Sequence, residues 1–222
     1  MPLVCYGINY KTAPLAVREC VAFDPERTRL ALQKLIDLAP ISEVLLLSTC
    51  NRTEIYAASD SGEVLLNWLL SHLRSMSVDW EAVGYSFSED DAVRHLLRVA
   101  SGLDSMVVGE SQILGQLKRA YDQAVAVGTV GVKLGHLLPA VFSMAKAIRT
   151  QTDLGKNPIS MAYVIVQLAK KLFADLTQSK VMLVGVSEMM ELVATHFCQH
   201  EVDEVIVANR TLDNTVSFVQ KF

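Results

Sequence analysis

Cysteine is scarce: Cys5, Cys20, Cys50 and Cys198 are the only four among 222 residues, and no two stand in a Cys-x-x-Cys spacing. That pattern excludes a disulfide scaffold and a cysteine-based zinc site, and suits a reducing compartment. Long apolar runs are missing too. Stretches such as Val44–Leu47 and Val181–Val186 fall far short of the ~20 residues of a membrane-spanning helix, despite a mean hydropathy of +0.29. Positive charge is not in excess, since the net charge is −4, so composition offers no general footprint for nucleic acid. Neither a basic n-region nor an Arg/Ser-rich presequence precedes Leu3-Val4-Cys5-Tyr6-Gly7-Ile8, and a cytoplasmic protein is the expectation. With 51% hydrophobic and 20% charged residues, the chain has the makings of a folded core, in one large domain or two small ones.

The pattern along the chain predicts two regions. Leu3–Ile8 reads as a strand, and Asp24-Pro25 as a helix start, with Asp as N-cap and Pro in the first helical position. Glu43–Ser48 and Glu54–Ala58 read as strands on either side of the polar segment 49–53, and a helix is predicted from about Glu63 to Arg74. Tyr85-Ser86-Phe87 is strand-like, and Ser88-Glu89-Asp90-Asp91 reads as a helix cap with an acidic first turn. From there to about Thr150 the pattern is helical, with a break bracketed by Gly128 and Gly131. Turn residues cluster at 153–158, and a domain boundary is placed there, giving a first domain of 1–156 and a second of 157–222.

In the second region a helix from Ser160 to Ala174 leads to the strand Val181–Val184. Gly185, a helix, and the strand Glu204–Ala208 follow. This is βαβ, the opening of a parallel Rossmann-type sheet. A further helix begins at Thr211, so only βαβα of a βαβαβ half-domain is present, which reads as a truncated nucleotide domain. The predicted fold class is therefore α/β: an N-terminal α/β catalytic domain followed by a partial Rossmann-type domain.

Cys50 is the thiol best placed to react. It follows a buried strand, enters a polar turn, and has Arg52 two residues away, whose guanidinium can lower a thiol pKa or bind a carboxylate. A buried, inert cysteine is the competing reading. Cys5, Cys20 and Cys198 read as packing residues. Val184-Gly185-Val186-Ser187-Glu188-Met189-Met190 joins a strand to a helix, where backbone N–H groups can receive a pyrophosphate. An ordinary strand–helix turn is the plain alternative. After the second strand stands Asn209-Arg210 where an NAD site usually carries an acidic residue, and an Arg there favours NADP. His95, Glu110, Gln112 and Gln116 are polar residues on or near helices and are not diagnostic singly. No metal site is expected.

Taken together these segments resemble glutamyl-tRNA reductase. Leu47-Ser48-Thr49-Cys50-Asn51-Arg52-Thr53-Glu54-Ile55-Tyr56 matches that family's S-T-C-N-R-T-E segment, and Ala100 to Gln116 matches its A-S-G-L-D-S-x-V-x-G-E-x-Q-I-L-G-Q run. Gly7-Ile8-Asn9-Tyr10-Lys11-Thr12-Ala13-Pro14 resembles its opening G-x-N-H-K-T-A-P, and Ala208-Asn209-Arg210-Thr211 its A-N-R-T. Two positions depart: Ser111 stands where the family has Pro, and Gly185-Val186-Ser187-Glu188 replaces a turn close to G-A-G-E.

The resemblance implies an NADPH-dependent oxidoreductase that reduces glutamyl-tRNA(Glu) to glutamate-1-semialdehyde through a Cys50 thioester, the first step of five-carbon tetrapyrrole (porphyrin, haem) biosynthesis. It implies that Thr49, Asn51, Arg52, Ser105, Glu110, Ser111, Gln112 and Gln116 hold the glutamyl group. His95 is implied in proton handling, and Gly185 to Met190 with Asn209 and Arg210 in holding NADPH. It also implies a homodimer in the full-length protein and a handover to glutamate-1-semialdehyde aminomutase. Two alternatives stand beside it: a fragment that forms or hydrolyses the thioester without reduction, and a cysteine-dependent NADP aldehyde dehydrogenase.

Overall fold

The computed structural model describes residues 1–73, 78–155, 161–173 and 175–222. Contacts divide the chain into two compact units, Met1–Pro158 and Ile159–Phe222.

The first unit runs β1 (Leu3–Asn9), α1 (Leu15–Cys20), α2 (Pro25–Ile36), β2 (Ile41–Ser48), β3 (Arg52–Ser59), α3 (Gly62–His72), the single turn α4 (Trp80–Val83) and β4 (Tyr85–Ser88). The strands lie in the order β2–β3–β1–β4, and every neighbouring pair is antiparallel. This is the split βαβ arrangement, two interleaved strand–helix–strand units sharing one sheet. Helices α5 (Glu89–Ala100), α6 (Gln112–Val127) and α7 (Val132–Gln151) follow, and a 3-10 turn at Asp153–Gly155 ends the described part of the unit.

Local chemistry accounts for some of these boundaries and corrects others. Asp24 caps α2 by accepting a hydrogen bond from the Arg27 amide at 2.8 Å, and Pro25 takes the first helical position. Ser88 occupies the N-cap of α5 without capping it through its side chain, so the acidic turn Glu89, Asp90 and Asp91 alone complements the helix dipole. The helical pattern expected onward from Ser88 is interrupted at 101–111. Gly102 there has φ +80°, and a Cβ on it would stand 2.8 Å from the Glu110 carbonyl oxygen, so the loop closes only around a glycine.

Strand register decides what lies together. Pairing of Cys5, Gly7 and Asn9 with Tyr56, Glu54 and Arg52, and of Gly7 and Cys5 with Tyr85 and Phe87, puts these side chains on the sheet face that meets α5. The opposite face carries Ile8, which packs against Val17, Val21 and Leu73. Helices on both faces bury β3 along its whole length, including its charged residues.

The second unit runs α8 (Met161–Leu172), β5 (Lys180–Val184), α9 (Glu188–Gln199), β6 (Glu204–Ala208) and α10 (Leu212–Val219). Strands β5 and β6 are parallel neighbours, joined by α9 as crossover. Val166, Leu183, Val193, Phe197 and Phe218 form its core. The turn cluster at Lys156, Asn157 and Pro158, the helix start at Ser160 and the helix ends at Arg74 and Ala174 lie outside the described residues.

Candidate functional site

Cys50 sits exposed at the tip of the β2–β3 hairpin. Thr49 builds that tip: its Oγ1 accepts from the amides of Asn51 at 3.2 Å and Arg52 at 3.1 Å. Tyr10 donates its amide to the Asn51 carbonyl at 2.9 Å. Arg18 donates through Nη1 to the Cys50 carbonyl at 2.6 Å and reaches Asn51 Oδ1 at 3.5 Å. The hairpin thus presents the thiol from a backbone fixed on three sides.

The guanidinium expected to activate the thiol does not do so. Arg52 points into the sheet and is 2% exposed. Its Nη1 donates to Glu54 Oε1 at 2.7 Å, and its Nη2 donates to Asp104 Oδ2 at 3.1 Å and to the Asp104 carbonyl. The reason is the period of the strand: Arg52 and Glu54 share a face, and a buried carboxylate draws the cation inward. Partial enclosure pushes the Cys50 thiol above its ordinary pKa, the negative charge of Glu110 adds to this, and Arg18 only partly offsets them. Arg52 likewise offers no free face to a substrate carboxylate in this geometry, since both ends of its fork are engaged.

Glu54 is the hub of the buried network. It is fully buried, and Oε1 receives Arg52, His95 Nε2 at 2.8 Å and the Tyr85 hydroxyl at 2.5 Å, while Oε2 receives the Tyr56 hydroxyl at 2.7 Å. Burial works against its charge, yet Arg52 and the bonds from His95 and Tyr85 outweigh burial and hold its pKa at about 2. The same burial and the same carboxylate raise Tyr56 and Tyr85 well above the usual phenol value, so both remain donors. Gly7 makes room for the carboxylate: a Cβ there would lie 2.7 Å from Glu54 Cγ. His95 therefore joins the site through Glu54, and Phe87 stacks on its ring with centroids 4.6 Å apart.

The loop 101–111 carries the rest. Asp104 bridges Arg52 and Lys11, whose Nζ is 2.5 Å from Asp104 Oδ1. Burial opposes the charge of Asp104, but Lys11 and Arg52 lower its pKa. Tyr10 donates its hydroxyl to the Ser105 carbonyl at 3.1 Å. Ser105 Oγ is itself buried with no hydrogen-bond partner among the described residues, a donor left over for something else. Arg149 of α7 staples the loop ends, its Nη1 donating to the carbonyls of Gly109 at 2.9 Å and Glu110 at 3.2 Å. Ser111 is exposed at the start of α6 and makes no cap bond. Gln112 is half-buried in the first turn of α6, and Gln116, one turn on, lines a groove with Ser48 beside the hairpin.

Of the residues expected at the site, the structure places Thr49, Cys50 and Asn51 on the hairpin, and it adds Glu54, Lys11, Asp104, Tyr85, Arg18 and Arg149, to which the sequence pattern alone assigns no role. One signal was readable: Arg52, Glu54 and Tyr56 alternate on a strand whose surroundings are apolar, which marks a buried polar line rather than a solvated turn.

In the second unit, Gly185 leaves β5 at φ +95°, with open space where a Cβ would stand, and leads to the N-terminus of α9. Ser187 caps that helix, its Oγ accepting from the Met190 amide at 3.3 Å. It acts here as acceptor and takes up one N–H that a phosphate would otherwise meet. Asn209 donates to the Thr211 carbonyl at 3.2 Å, and Arg210 is exposed beyond β6.

Known proteins follow the same division. The family described as glutamyl-tRNAGlu reductase, N-terminal domain, matches residues 6–152, and shikimate / quinate 5-dehydrogenase matches residues 167–222. Glutamyl-tRNA reductase of Coxiella burnetii (strain Dugway 5J108-111) is 47% identical over 222 residues, covering 100% of this chain and 54% of its own length. That of Ectopseudomonas mendocina is 49% identical over 224 residues, covering 100% of this chain and 53% of its own. The chain spans about half the length of the curated relatives it matches. Among solved structures, glutamyl-tRNA reductase from Methanopyrus kandleri superposes with a TM-score of 0.62 at 31% identity, over 99% of this chain and 52% of that one. With its thiol hairpin and its 101–116 segment both inside the matched N-terminal domain, the chain belongs to the glutamyl-tRNA reductase family.

Proposed function

We propose that Cys50 takes the glutamyl group from glutamyl-tRNA(Glu) as a thioester, the acyl transfer that precedes NADPH-dependent reduction to glutamate-1-semialdehyde at the entry to tetrapyrrole biosynthesis. The observation that carries this reading is the exposed thiol on a hairpin held by Thr49, Tyr10 and Arg18, within the field of the Glu110 carboxylate. The sulfur attacks the ester carbonyl, a C–S bond forms, and the C–O bond to the tRNA ribose breaks. The thiol gives up its proton to Glu110, which returns it to the departing ribose oxygen. A thioester divides one hard reduction into two easier steps.

The remaining residues position the acyl group. Thr49 and Asn51 shape the hairpin, and Ser105 offers its unpartnered hydroxyl to the glutamyl moiety. Glu110 and Gln116 stand near the hairpin, and in this proposal they hold the glutamyl group together with Ser111 and Gln112 from the start of α6. Arg52 acts indirectly in this proposal: it fixes Asp104, and with it the loop that carries Ser105. His95, held by Glu54, moves protons from a fixed ring orientation.

The residues of the second unit suit NADPH. Gly185 leaves space for a close approach, the N-terminus of α9 that follows it suits a phosphate, and Arg210 suits a 2′-phosphate. Val186, Ser187, Glu188, Met189 and Met190 form the turn and first helical residues around it. When bound, NADPH supplies the hydride. The same proposal includes a cytoplasmic homodimer and delivery of the reactive aldehyde to the aminomutase. Chromatography of products from glutamyl-tRNA with and without NADPH tests the reading. Semialdehyde requires both NADPH and Cys50; its formation by Cys50→Ala would refute the assignment.

A further inference from the structure

The first unit holds a groove of about 410 Å³ between α2 and α3, within the range of small-ligand sites. Its described lining comes from Phe23, from α2 and from the last turns of α3, and includes no residue of 49–52 or 101–116. Acyl transfer at Cys50 makes no use of it.

The floor of this groove is set before any ligand arrives. Phe23 donates its amide to Ser48 Oγ at 3.0 Å, and its ring packs on that of Trp68 with centroids 5.6 Å apart. The His72 ring lies 4.3 Å from that of Trp68, and its Nδ1 is 3.0 Å from the Trp68 carbonyl. A carbonyl only accepts, so Nδ1 carries the proton of that bond. The three rings pack on one another, and what they offer a ligand is an apolar floor rather than a stacking face.

The wall above that floor carries charge of one sign. Arg27 and Lys34 stand two turns apart on α2, on the face that also brings Leu30 to the groove. Arg27 lies over the Phe23 ring at 5.2 Å and donates Nη1 to the Ala22 carbonyl at 2.9 Å, contacts that fix the guanidinium without neutralising it. Lys34 is exposed and has no ion pair among the described residues. Arg29, on the same helix but outside the groove, is paired with Glu26. No acidic residue belongs to the groove's described lining. Two uncompensated cations beside an apolar floor, on a chain of net charge −4, select an anion with an apolar body. Their joint charge matches a phosphate monoester, which carries close to two negative charges at neutral pH, better than it matches a carboxylate. We propose that the α2–α3 groove binds a small phosphate monoester with an aromatic or aliphatic body. Arg27 and Lys34 meet the phosphate, and Leu30 and Trp68 meet the body.

Titration of the isotope-labelled chain with phenyl phosphate, followed by NMR, tests this. The chain has two tryptophans, Trp68 in the groove and Trp80 packed near Tyr6 outside it. Their indole N–H signals, told apart with Trp80→Phe, report separately. The Trp68 signal should shift and saturate, half-way at about millimolar phenyl phosphate, while the Trp80 signal stays in place. Benzoate should bind more weakly, and benzyl alcohol, uncharged, should not saturate the signal. Lys34→Gln and Arg27→Gln should each weaken phenyl phosphate about five-fold, the loss of one solvated ion contact, and Arg29→Gln should change nothing. Amide signals elsewhere in each variant confirm its fold. A Trp68 signal that phenyl phosphate leaves unmoved, or that benzyl alcohol moves equally, overturns the proposal, as does a titration unaltered in both Lys34→Gln and Arg27→Gln. Benzoate binding as tightly as phenyl phosphate would overturn the assignment to a phosphate monoester.

Discussion

Arg52 Nη1 lies 2.7 Å from Glu54 Oε1, and the two side chains, 2% and 0% exposed, form an ion pair out of reach of water. Removing one partner strands the other charge in the core, at a cost of about 3–5 kcal/mol. Glu54→Gln should therefore be strongly destabilised in urea unfolding at neutral pH.

The pH dependence follows from the same pair. Glu54 titrates at about 2 when folded, below the ~4.3 of an unperturbed glutamate, so its folded pKa is depressed. The stability it contributes is present above the unfolded value and is lost as pH falls from about 5 towards 2. Unfolding free energies measured across that window should drop in wild type and change less in Glu54→Gln. Parallel curves for the two proteins would show that Glu54 is not the titrating group.

The fold class and the hairpin around Cys50 are legible in the sequence because those parts are local. Asp24-Pro25 announces its helix, and the apolar runs on either side of Thr49–Thr53 announce β2 and β3. Only long-range pairing reveals that Gly7 faces Glu54, that β4 joins β1, or that His95 meets a residue 41 positions earlier. Arg52, expected from its place two residues from Cys50 to face the thiol or a substrate carboxylate, is turned inward by the same long-range pairing, which sets Glu54 and Asp104 against it.

The Cys50 thiol, raised by its enclosure and by Glu110, should be sluggish in the free protein. Its alkylation by iodoacetamide, followed by peptide mapping, should still be rising with pH above the ~8.5 of an ordinary cysteine. Glu110→Gln should speed alkylation at a given pH and Arg18→Ala should slow it, each by a few-fold. Unchanged rates in both would remove these two charges from the thiol's surroundings.

Arg149 bonds the carbonyls of Gly109 and Glu110 through one nitrogen. Arg149→Met should release the end of the loop at a cost of about 1.5–3 kcal/mol, the range for hydrogen bonds to a charged group. Faster hydrogen exchange at the Gly109 and Glu110 amides, with acylation slowed, is the expected result. Exchange and acylation both at wild-type rates would show the staple to be idle.

Ser187 caps α9 through Met190. Ser187→Ala should cost the second unit about 1 kcal/mol and Ser187→Gly only a few tenths. With the capped amide freed, Ser187→Gly should bind NADPH more tightly, as read by quenching of protein fluorescence. Weaker NADPH binding in Ser187→Gly would mean that the hydroxyl contacts the cofactor itself.

Labelling of the protein by glutamyl-tRNA carrying a radioactive glutamyl group tests the central claim most directly. Wild type should retain a label that hydroxylamine releases, Cys5→Ser and Cys198→Ser should retain it as well, and Cys50→Ser should lose it. A hydroxylamine-sensitive label that persists in Cys50→Ser would contradict the assignment of Cys50 as the residue that carries the glutamyl group.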